Sequence, residues 1–305
     1  MTTTIDASGR SIEITHPERI VFPGAGLTKL DLAEYYARVA DAMLPHVRDR
    51  PLALESFPHG VNGARYFVKH EPPHFPEWLA SVCVPRREGG SIRQVLADDA
   101  AALVFLVGQN MVTPHIWTSR ADRLDRPDRV VFDLDPSIEQ FDDVRGAARE
   151  LGELLRDLGM APHAMTTGSR GIHVVAALRR TADHDDVYSF SREVAGLLAS
   201  RDPDRLTVEF HRDRRGQRIY VDVARNAYGQ HSVAPYAVRG LPDAPVATPL
   251  RWEELDDPEL GPRRWTVETL PQRLAERGDP WHDIARQAAA LGPARRALER
   301  LAASS

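Results

Sequence analysis

The chain has 305 residues, of which 42% are apolar and 27% are charged, and its net charge is −5. These values exclude a uniformly basic nucleic-acid coat protein, although they are compatible with a local basic groove. The single cysteine, Cys83, excludes a disulfide framework and a zinc site with several cysteine ligands. Apolar stretches such as residues 100–107 are too short to span a bilayer, and the N-terminus lacks the apolar core of a signal peptide. The sequence therefore predicts a cytoplasmic protein.

The first 120 residues predict short strands and two helices. Thr28 and Asp31 have the spacing of a capping box, which opens a helix with Leu32, Tyr36 and Val39 on one face. A strand is predicted just before it, over Ile20–Phe22, and a second helix near residues 92–110. In the first turn of the capped helix we expect free backbone N–H groups, which favour an anion.

The middle of the chain alternates strand and helix signals between two candidate boundaries, residues 120–129 and 241–249. Strands are predicted at 130–134, 172–178, 206–211 and 219–223, and helices at 143–158, 187–198 and 283–301. The helix at 143–158 has an apolar face and is followed by Gly159, a typical C-terminal cap. We expect a mixed α/β (α+β) fold of two interlocked lobes, with the chemistry concentrated in residues 130–240.

Two carboxylates lie at the end of the strand predicted at 130–134. Asp133 and Asp135 are two residues apart, so in a strand they project to the same side. Close carboxylates repel unless a cation or proton intervenes, and their hard oxygens suit Mg²⁺ or Mn²⁺. The alternative is a strand-edge pair that faces water, but the preceding Val-Val-Phe run favours a buried strand that ends in a cleft.

A third carboxylate, Asp222, lies inside another apolar strand pattern, where a lone charge is costly to bury. On its own it is equally compatible with a residue paired to an arginine. Together, Asp133, Asp135 and Asp222 (the acidic triplet) have the composition of a two-metal site, which stabilises the attacking and leaving oxygens of an in-line displacement.

Two segments are candidates for phosphate binding. The first contains Thr167, Ser169, Arg170 and His173 around two glycines, and the 160–180 region has three arginines and no acid. A loop of this kind is more often an ordinary turn. The second contains Arg239, which could instead be an ordinary arginine on the protein surface. A basic loop at 212–218 precedes the Asp222 strand and could follow a nucleic-acid backbone or simply be solvated.

Several of these motifs in the same order resemble one family. The segments FDLDP, TGSRGIH, YVDVARN and VAPYAVRG, with the N-terminal HPERIVFP and RYFVKH segments, resemble the polymerase domain of bacterial DNA ligase D. That domain is a member of the archaeo-eukaryotic primase–polymerase superfamily. The resemblance runs from about residue 16 to residue 255. It implies one domain over 1–305, with an N-terminal lobe at about 1–120 and a catalytic core at about 130–240 whose small antiparallel or mixed sheet is flanked by helices and closed by C-terminal helices.

The resemblance also implies an activity. Family members add nucleotides to DNA ends under the direction of a template during non-homologous end joining, with two Mn²⁺ or Mg²⁺ ions. It implies that the substrates are an NTP or dNTP and DNA ends or gaps with a 5′-phosphate, and that Ku and a DNA ligase are further partners. It also implies a monomer that does not associate with a membrane and that acts in the bacterial cytoplasm, at the nucleoid.

Site residues follow from the same resemblance. It implies that the acidic triplet, Asp133, Asp135 and Asp222, is catalytic and binds the metal ions. The implied nucleotide contacts are Thr167, Ser169, Arg170, His173, Arg239 and His115. Arg19 and Lys29 match a pocket for a DNA 5′-phosphate, and Tyr66 and Phe67 match aromatic positions that stack on bases. Alternatively, Arg19 and Lys29 are solvated surface charges, and Tyr66 and Phe67 are core residues. The family usually has Lys where Arg170 and Arg19 stand, and Ser where Thr167 stands.

Two rival functions remain open from the sequence. Haloacid-dehalogenase-type phosphohydrolases also have a DxD motif after an apolar strand, with the first Asp as nucleophile. Release of phosphate from a small phosphomonoester without primer or template would identify that activity. The second rival is a DNA-end-binding module without catalysis, which has no need for three concentrated carboxylates.

Overall fold

The structure is a computed structural model that describes residues 2–304. The helices are, in chain order, α1 (Lys29–Val47), α2 (Ala100–Gly108), α3 (Phe141–Asp157), α4 (His184–Arg201), α5 (Leu270–Arg277) and α6 (Leu291–Ser304). The first nine strands are β1 (Thr2–Ala7), β2 (Arg10–Thr15), β3 (Ile20–Phe22), β4 (Leu27–Thr28), β5 (Leu52–Ser56), β6 (Tyr66–Val68), β7 (Ser81–Pro85), β8 (Ser91–Val95) and β9 (Met111–Ile116). The later strands are β10 (Arg129–Pro136), β11 (Pro162–Thr166), β12 (Ile172–Ala177), β13 (Leu206–Thr207), β14 (Ile219–Asp222), β15 (Ser232–Val233) and β16 (Thr248–Leu250).

The chain divides into two compact units. Unit 1 comprises the residues up to Asp122 together with His231–Thr248 and Arg263–Asp279. Unit 2 comprises Arg123–Gln230, Pro249–Pro262 and the residues from Pro280 onward. The division into a lobe at 1–120 and a core at 130–240 stays a prediction. Among the described residues, no helix has the length and apolar character needed to cross a membrane.

Unit 1 contains a four-stranded sheet of order β15-β9-β5-β6. β1 with β2, β3 with β4, and β7 with β8 form antiparallel pairs beside it. Helix α1 begins as its sequence predicts, because the Thr28 hydroxyl accepts from the Asp31 N–H and the Asp31 carboxylate accepts from the Thr28 N–H. The predicted apolar face of α1 is buried.

Unit 2 is built on a mixed sheet of order β13-β14-β10-β12-β11-β16. The central strand β10 is antiparallel to both β12 and β14, whereas β13 is parallel to β14. Helix α3 packs on β10 and β12 through its apolar face, and α4 packs on β10 and β13. Gly159 follows α3 with φ of 74°, in the left-handed region that a C-terminal cap needs. The expectation of a mixed α/β fold with a helix-flanked sheet is confirmed.

The predicted helix at 92–110 is wrong in its first half. Residues Ser91–Val95 form strand β8, because Gly89 and Gly90 adopt φ of 95° and 74° and make the turn of a hairpin with β7. The helix starts only at Ala100, where the Asp99 carboxylate accepts from the Ala102 N–H as an N-cap. The apolar run after this cap is therefore the helix α2.

Two further predicted elements are shorter than expected. The strand at 206–211 ends at Thr207, because the Thr207 hydroxyl and the Glu209 carboxylate accept from the N–H groups of Glu209 and His211, respectively. The helix at 283–301 is a 3₁₀ turn (Ile284–Gln287) followed by α6. Ala289 interrupts it, since its backbone bonds with those of Ala177 and Arg179.

Candidate functional site

Three polar side chains form a row across the middle of the unit 2 sheet. On β10, Asp133 is the Cα partner of His173 on β12 and of Asp222 on β14. Paired residues on neighbouring antiparallel strands project to the same face, so two carboxylates and an imidazole lie side by side. The His173 Nε2 is 3.5 Å from the Asp133 Oδ1. Antiparallel register therefore brings together residues that are 89 positions apart in the sequence, from Asp133 to Asp222.

Asp135 lies beside this row, two residues after Asp133 on strand β10 and on the same face of the sheet. Arg170 donates to the Asp135 Oδ1 at 3.0 Å, and the Arg215 guanidinium is 3.8 Å from its Oδ2. Burial raises the pKa of Asp135, and the charge of Asp133 raises it further, while Arg170 and Arg215 partly oppose that rise. The net effect is a raised pKa for Asp135, because burial and the charge of Asp133 outweigh the two arginines.

Arg225 lies against the other two carboxylates. Its Nη2 is 3.4 Å from the Asp222 Oδ2, and its Nε is 3.8 Å from the Asp133 Oδ2. The carboxylates are mostly buried, with side-chain exposures of 17% for Asp133 and 13% for Asp222. The acidic triplet is therefore neutralised by arginine side chains in this structure.

The acidic triplet fits a divalent cation in its donor chemistry. Within residues 2–304, no three or more His, Cys, Asp or Glu side chains are arranged as a metal site. Arginine side chains lie against all three carboxylates of the acidic triplet. The donors are nevertheless hard carboxylate oxygens, and two of them lie on opposed residues of neighbouring strands. That combination suits Mg²⁺ or Mn²⁺.

The loop that carries Arg170 is stabilised by internal hydrogen bonds of the Thr167 side chain. The Thr167 hydroxyl donates to the Gly171 carbonyl and accepts from the N–H groups of Ser169 and Gly171, at 3.2 to 3.3 Å. Gly168 adopts φ of 66°, which allows the tight turn. The Thr167 hydroxyl is thus engaged inside the loop, whereas Arg170 is 38% exposed. The roles of Thr167, Ser169, Arg170 and His173 toward a nucleotide stay predictions.

Gly171 is required where this loop meets the acidic strand. A Cβ atom at Gly171 would lie 2.2 Å from the Leu134 carbonyl oxygen, which is backbone and cannot move away without shifting β10. We expect Gly171→Ala to lower the free energy of unfolding by roughly 1–3 kcal/mol, the range for overpacking. Chemical denaturation measures this change.

A matched control for that substitution is Gly196→Ala within α4. No atom lies within 4 Å of a Cβ built at Gly196, so alanine adds helix propensity there without a clash. It should leave stability unchanged or raise it by about 0.5–1 kcal/mol. Equal stability for Gly171→Ala and the wild type would contradict the close approach.

His115 and Arg239 belong to unit 1, where they share the environment of a buried glutamate. The His115 Nε2 is 3.4 Å from the Glu55 Oε1, and Arg65 is 3.6 Å from the same oxygen. Burial raises the pKa of Glu55, but His115, Arg239 and Arg65 together outweigh burial and hold it below its usual value. Glu55 is therefore an ionised partner of this basic cluster.

Tyr66 and Phe67 are exposed on the edge strand β6, at 54% and 43%. The Phe67 ring packs on His115 at 5.3 Å and stacks on His231 at 5.5 Å between centroids. The alternative that these aromatics are core residues is therefore wrong. Exposed aromatic faces are the feature that base stacking needs, although the stacking role itself stays a prediction.

Arg19 and Lys29 lie near the start of α1, and neutral oxygens hold both of them. The Lys29 Nζ donates to the Thr15 carbonyl at 2.9 Å, and Arg19 donates to the Pro58 carbonyl at 2.8 Å and to the Asn110 side-chain oxygen. Burial lowers the pKa of Lys29 to about 8, with a further contribution from the charge of Arg19. Lys29 is buried, with 3% exposure, so the alternative of a solvated lysine is wrong.

The expectation of free N–H groups at the start of α1 is also wrong. The Lys29 N–H donates to the Arg19 carbonyl, and the Leu30 N–H donates to the Pro17 carbonyl. The capping box occupies the N–H groups of Thr28 and Asp31. An anion at this place would therefore depend on the side chains of Arg19 and Lys29 rather than on the helix backbone.

Three residues near the candidate sites were not singled out from the sequence. Glu55 is the penultimate residue of the short strand β5, and nothing in the local sequence indicates that its charge is buried. Arg225 follows Asp222 by three residues. The 3₁₀ turn at Ala224–Asn226 brings its guanidinium against the Asp222 carboxylate. Arg215, assigned only to a basic loop, packs 3.8 Å over the Tyr220 ring and reaches Asp135.

Comparison with known proteins gives a consistent result. The sequence matches the family described as LigD, primase-polymerase domain, over residues 28–281. It is 34% identical over 282 residues to the multifunctional non-homologous end joining protein LigD of Pseudomonas aeruginosa, covering 92% of this chain and 33% of that protein. The bifunctional LigD of Bacillus subtilis is 28% identical over 277 residues, covering 90% and 44%. The chain thus spans less than half the length of these relatives.

A solved structure is similar in fold as well. The polymerase domain of Mycobacterium tuberculosis Ligase D in complex with DNA has a TM-score of 0.84 and 28% identity, covering 90% of this chain and 98% of that domain. Neither the phosphohydrolase nor the non-catalytic module is favoured by these matches. The LigD primase-polymerase domains are nucleotidyltransferases that use divalent metal ions. This chain belongs to the LigD primase-polymerase domain family, and it is a nucleotidyltransferase of that type.

Proposed function

We propose that this domain adds nucleotides to the 3′-hydroxyl of DNA ends and gaps, under the direction of a template, during non-homologous end joining. The observation that carries the proposal is the row of carboxylates in which Asp133 and Asp222 are opposed and Asp135 follows on the same strand. The Mycobacterium tuberculosis domain of similar fold was solved in complex with DNA, which supports DNA as the substrate here.

Asp133, Asp135 and Asp222 are the residues that would hold two Mn²⁺ or Mg²⁺ ions. When bound, the ions supply charge that neutralises the phosphate oxygens and favours ionisation of the attacking hydroxyl. In the transfer the primer 3′-hydroxyl would give its proton to solvent and its oxygen would bond to the α-phosphorus, while the bond from that phosphorus to the oxygen shared with the β-phosphorus breaks and pyrophosphate leaves. The contribution of the three aspartates is to fix the geometry and the local charge.

Arg170 and His173 provide the candidate contacts to the triphosphate. Arg170 is 38% exposed beside Asp135, and His173 flanks Asp133. A guanidinium makes charge-assisted hydrogen bonds to phosphate oxygens, and an imidazole N–H can donate to them. We assign Thr167 and Ser169 to the same loop, and His115 and Arg239 as further nucleotide contacts, as the family resemblance implies.

The DNA contacts that we propose lie in unit 1. Arg19 and Lys29 would bind the 5′-phosphate of a gap, because two cations held by neutral oxygens keep an uncompensated attraction for an anion. Tyr66 and Phe67 would stack on exposed bases, which works for any sequence because every base has a π-face. Ku and a DNA ligase are the partners that we propose. The bacterial cytoplasm, at the nucleoid, is the proposed place of action, since the relatives are bacterial repair proteins.

Extension of one gapped duplex tests this proposal directly. Four versions of the duplex differ only in the first templating base, and each receives one nucleotide at a time in the presence of Mn²⁺. We expect one added nucleotide that is complementary to the template in each case, and none when Mn²⁺ is replaced by a chelator. Addition that ignores the templating base would contradict templated transfer, and absence of any addition would contradict the enzymatic role.

A further inference from the structure

Arg225 stands on a short, firmly held stretch of backbone next to the acidic triplet. It is the middle residue of the 3₁₀ turn Ala224–Asn226. At one side of the turn, the Ala224 N–H donates to the Asp222 Oδ1 at 2.8 Å. At the other side, the fully buried Asn226 side chain accepts from the Val131 N–H and donates to its carbonyl, at 2.8 and 2.7 Å. The base of the Arg225 side chain is therefore fixed relative to β10 and β14.

The guanidinium of Arg225 faces one oxygen of each of two carboxylates, those of Asp133 and Asp222. The Oδ1 atoms of Asp222 and Asp133 face the Ala224 N–H and the His173 ring, whereas their Oδ2 atoms face Arg225 at 3.4 and 3.8 Å. One cation thus lies against two carboxylates on opposed residues of neighbouring strands. A divalent ion held by Asp133 and Asp222 would compete with Arg225 for these carboxylates.

The contacts of Arg225 are those of a replaceable cation. Both distances exceed the range of a well-formed charge-assisted hydrogen bond, about 2.7–2.9 Å. The side chain is 36% exposed, so its guanidinium has solvent into which it can turn. The contrast is Arg170, which makes a 3.0 Å hydrogen bond to Asp135.

We propose that Arg225 is a built-in counter-cation that neutralises Asp133 and Asp222 in the metal-free protein and competes with the divalent ion for them. The inference rests on the proposed metal-dependent function. Without a cation, the two carboxylates would repel each other, so Arg225 stabilises this pair when no divalent ion is bound. Because the same contacts must be lost when a divalent ion binds, Arg225 weakens the affinity for that ion in equal measure.

The test is a Mn²⁺ titration of the whole 305-residue protein without nucleotide or DNA, with free Mn²⁺ measured by electron paramagnetic resonance. We expect Arg225→Gln to bind Mn²⁺ about fivefold more tightly than the wild type, the upper range for a solvent-accessible ion pair. Arg225→Lys keeps the charge and should bind Mn²⁺ much as the wild type does. The matched control is Arg149→Gln, which removes the same charge from an exposed ion pair with Asp256 elsewhere in unit 2 and should not change the affinity.

Thermal unfolding supplies a second measurement. Metal-free Arg225→Gln should unfold at a lower temperature than the wild type, and Mn²⁺ should raise its unfolding temperature by a larger amount. Equal or weaker Mn²⁺ binding by Arg225→Gln would overturn the counter-cation role. Asp133→Asn separates this outcome from a failure of the proposed function: if that variant binds Mn²⁺ as the wild type does, the metal site itself is wrong.

Discussion

Asp133→Asn and Asp222→Asn will each reduce templated extension by about 10²–10³-fold or more, the scale on which single groups that stabilise transferred charge contribute. Asparagine keeps the size of the side chain but removes the charge that the reaction needs. The effect should be on the rate of nucleotide addition rather than on DNA binding. The row formed by Asp133, Asp222 and His173 belongs to the sheet of unit 2, whereas the DNA contacts that we propose belong to unit 1. Single-turnover extension with saturating nucleotide measures this rate.

Binding of the gapped duplex distinguishes loss of chemistry from loss of the fold. Both variants should bind the duplex nearly as well as the wild type. Asp157→Asn, at the exposed end of α3, makes the same change of charge away from the triplet and should extend primers normally. Near-normal extension by Asp133→Asn or Asp222→Asn would remove that residue from the catalytic site.

The wild-type protein will bind a gapped duplex with a 5′-phosphate about tenfold or more tightly than the same duplex with a 5′-hydroxyl, equivalent to roughly 1.4 kcal/mol. Arg19→Gln and Lys29→Gln should each remove most of this preference, because each takes away one of two adjacent cations that neutral oxygens hold. Binding to the hydroxyl end should change little. Fluorescence anisotropy on the two duplexes measures the ratio.

The same preference should depend on pH in a defined direction. Since the pKa of Lys29 is lowered to about 8, the ammonium form predominates below that pH and is lost above it. The preference for phosphate should therefore be larger at pH 7 than at pH 9 in the wild type, and independent of pH over this range in Lys29→Gln. Arg38→Gln, an exposed arginine on α1, is the control for net charge. Equal affinity of the wild type for the two ends would contradict the pocket.

The sequence predicts best those features that depend on local order. The capping box at Thr28, the strand that carries Asp133 and Asp135, and the apolar face of α3 each follow from residues a few positions apart, and each is confirmed. The helix predicted from residue 92 fails because two glycines with positive φ form a hairpin turn that periodicity alone does not reveal.

Contacts between distant segments are where the sequence is least informative. Asp133, His173 and Asp222 form a row only because β12 and β14 pair with β10 in one register, and a shift by one residue would separate them. The same applies to Glu55, which meets His115 through the pairing of β5 with β9. Likewise, the Lys29 ammonium donates to the carbonyl of Thr15, fourteen residues earlier in the chain. Such pairings depend on tertiary structure and leave no local pattern.

The most direct test of the account is a crystal structure with Mn²⁺ and a nucleoside triphosphate whose reacting bond is blocked, recorded for anomalous scattering from manganese. The account predicts anomalous peaks about 2 Å from carboxylate oxygens of Asp133, Asp135 and Asp222, with the triphosphate beside Arg170 and His173. Manganese bound elsewhere, with the three aspartates still paired to their arginines, would contradict it.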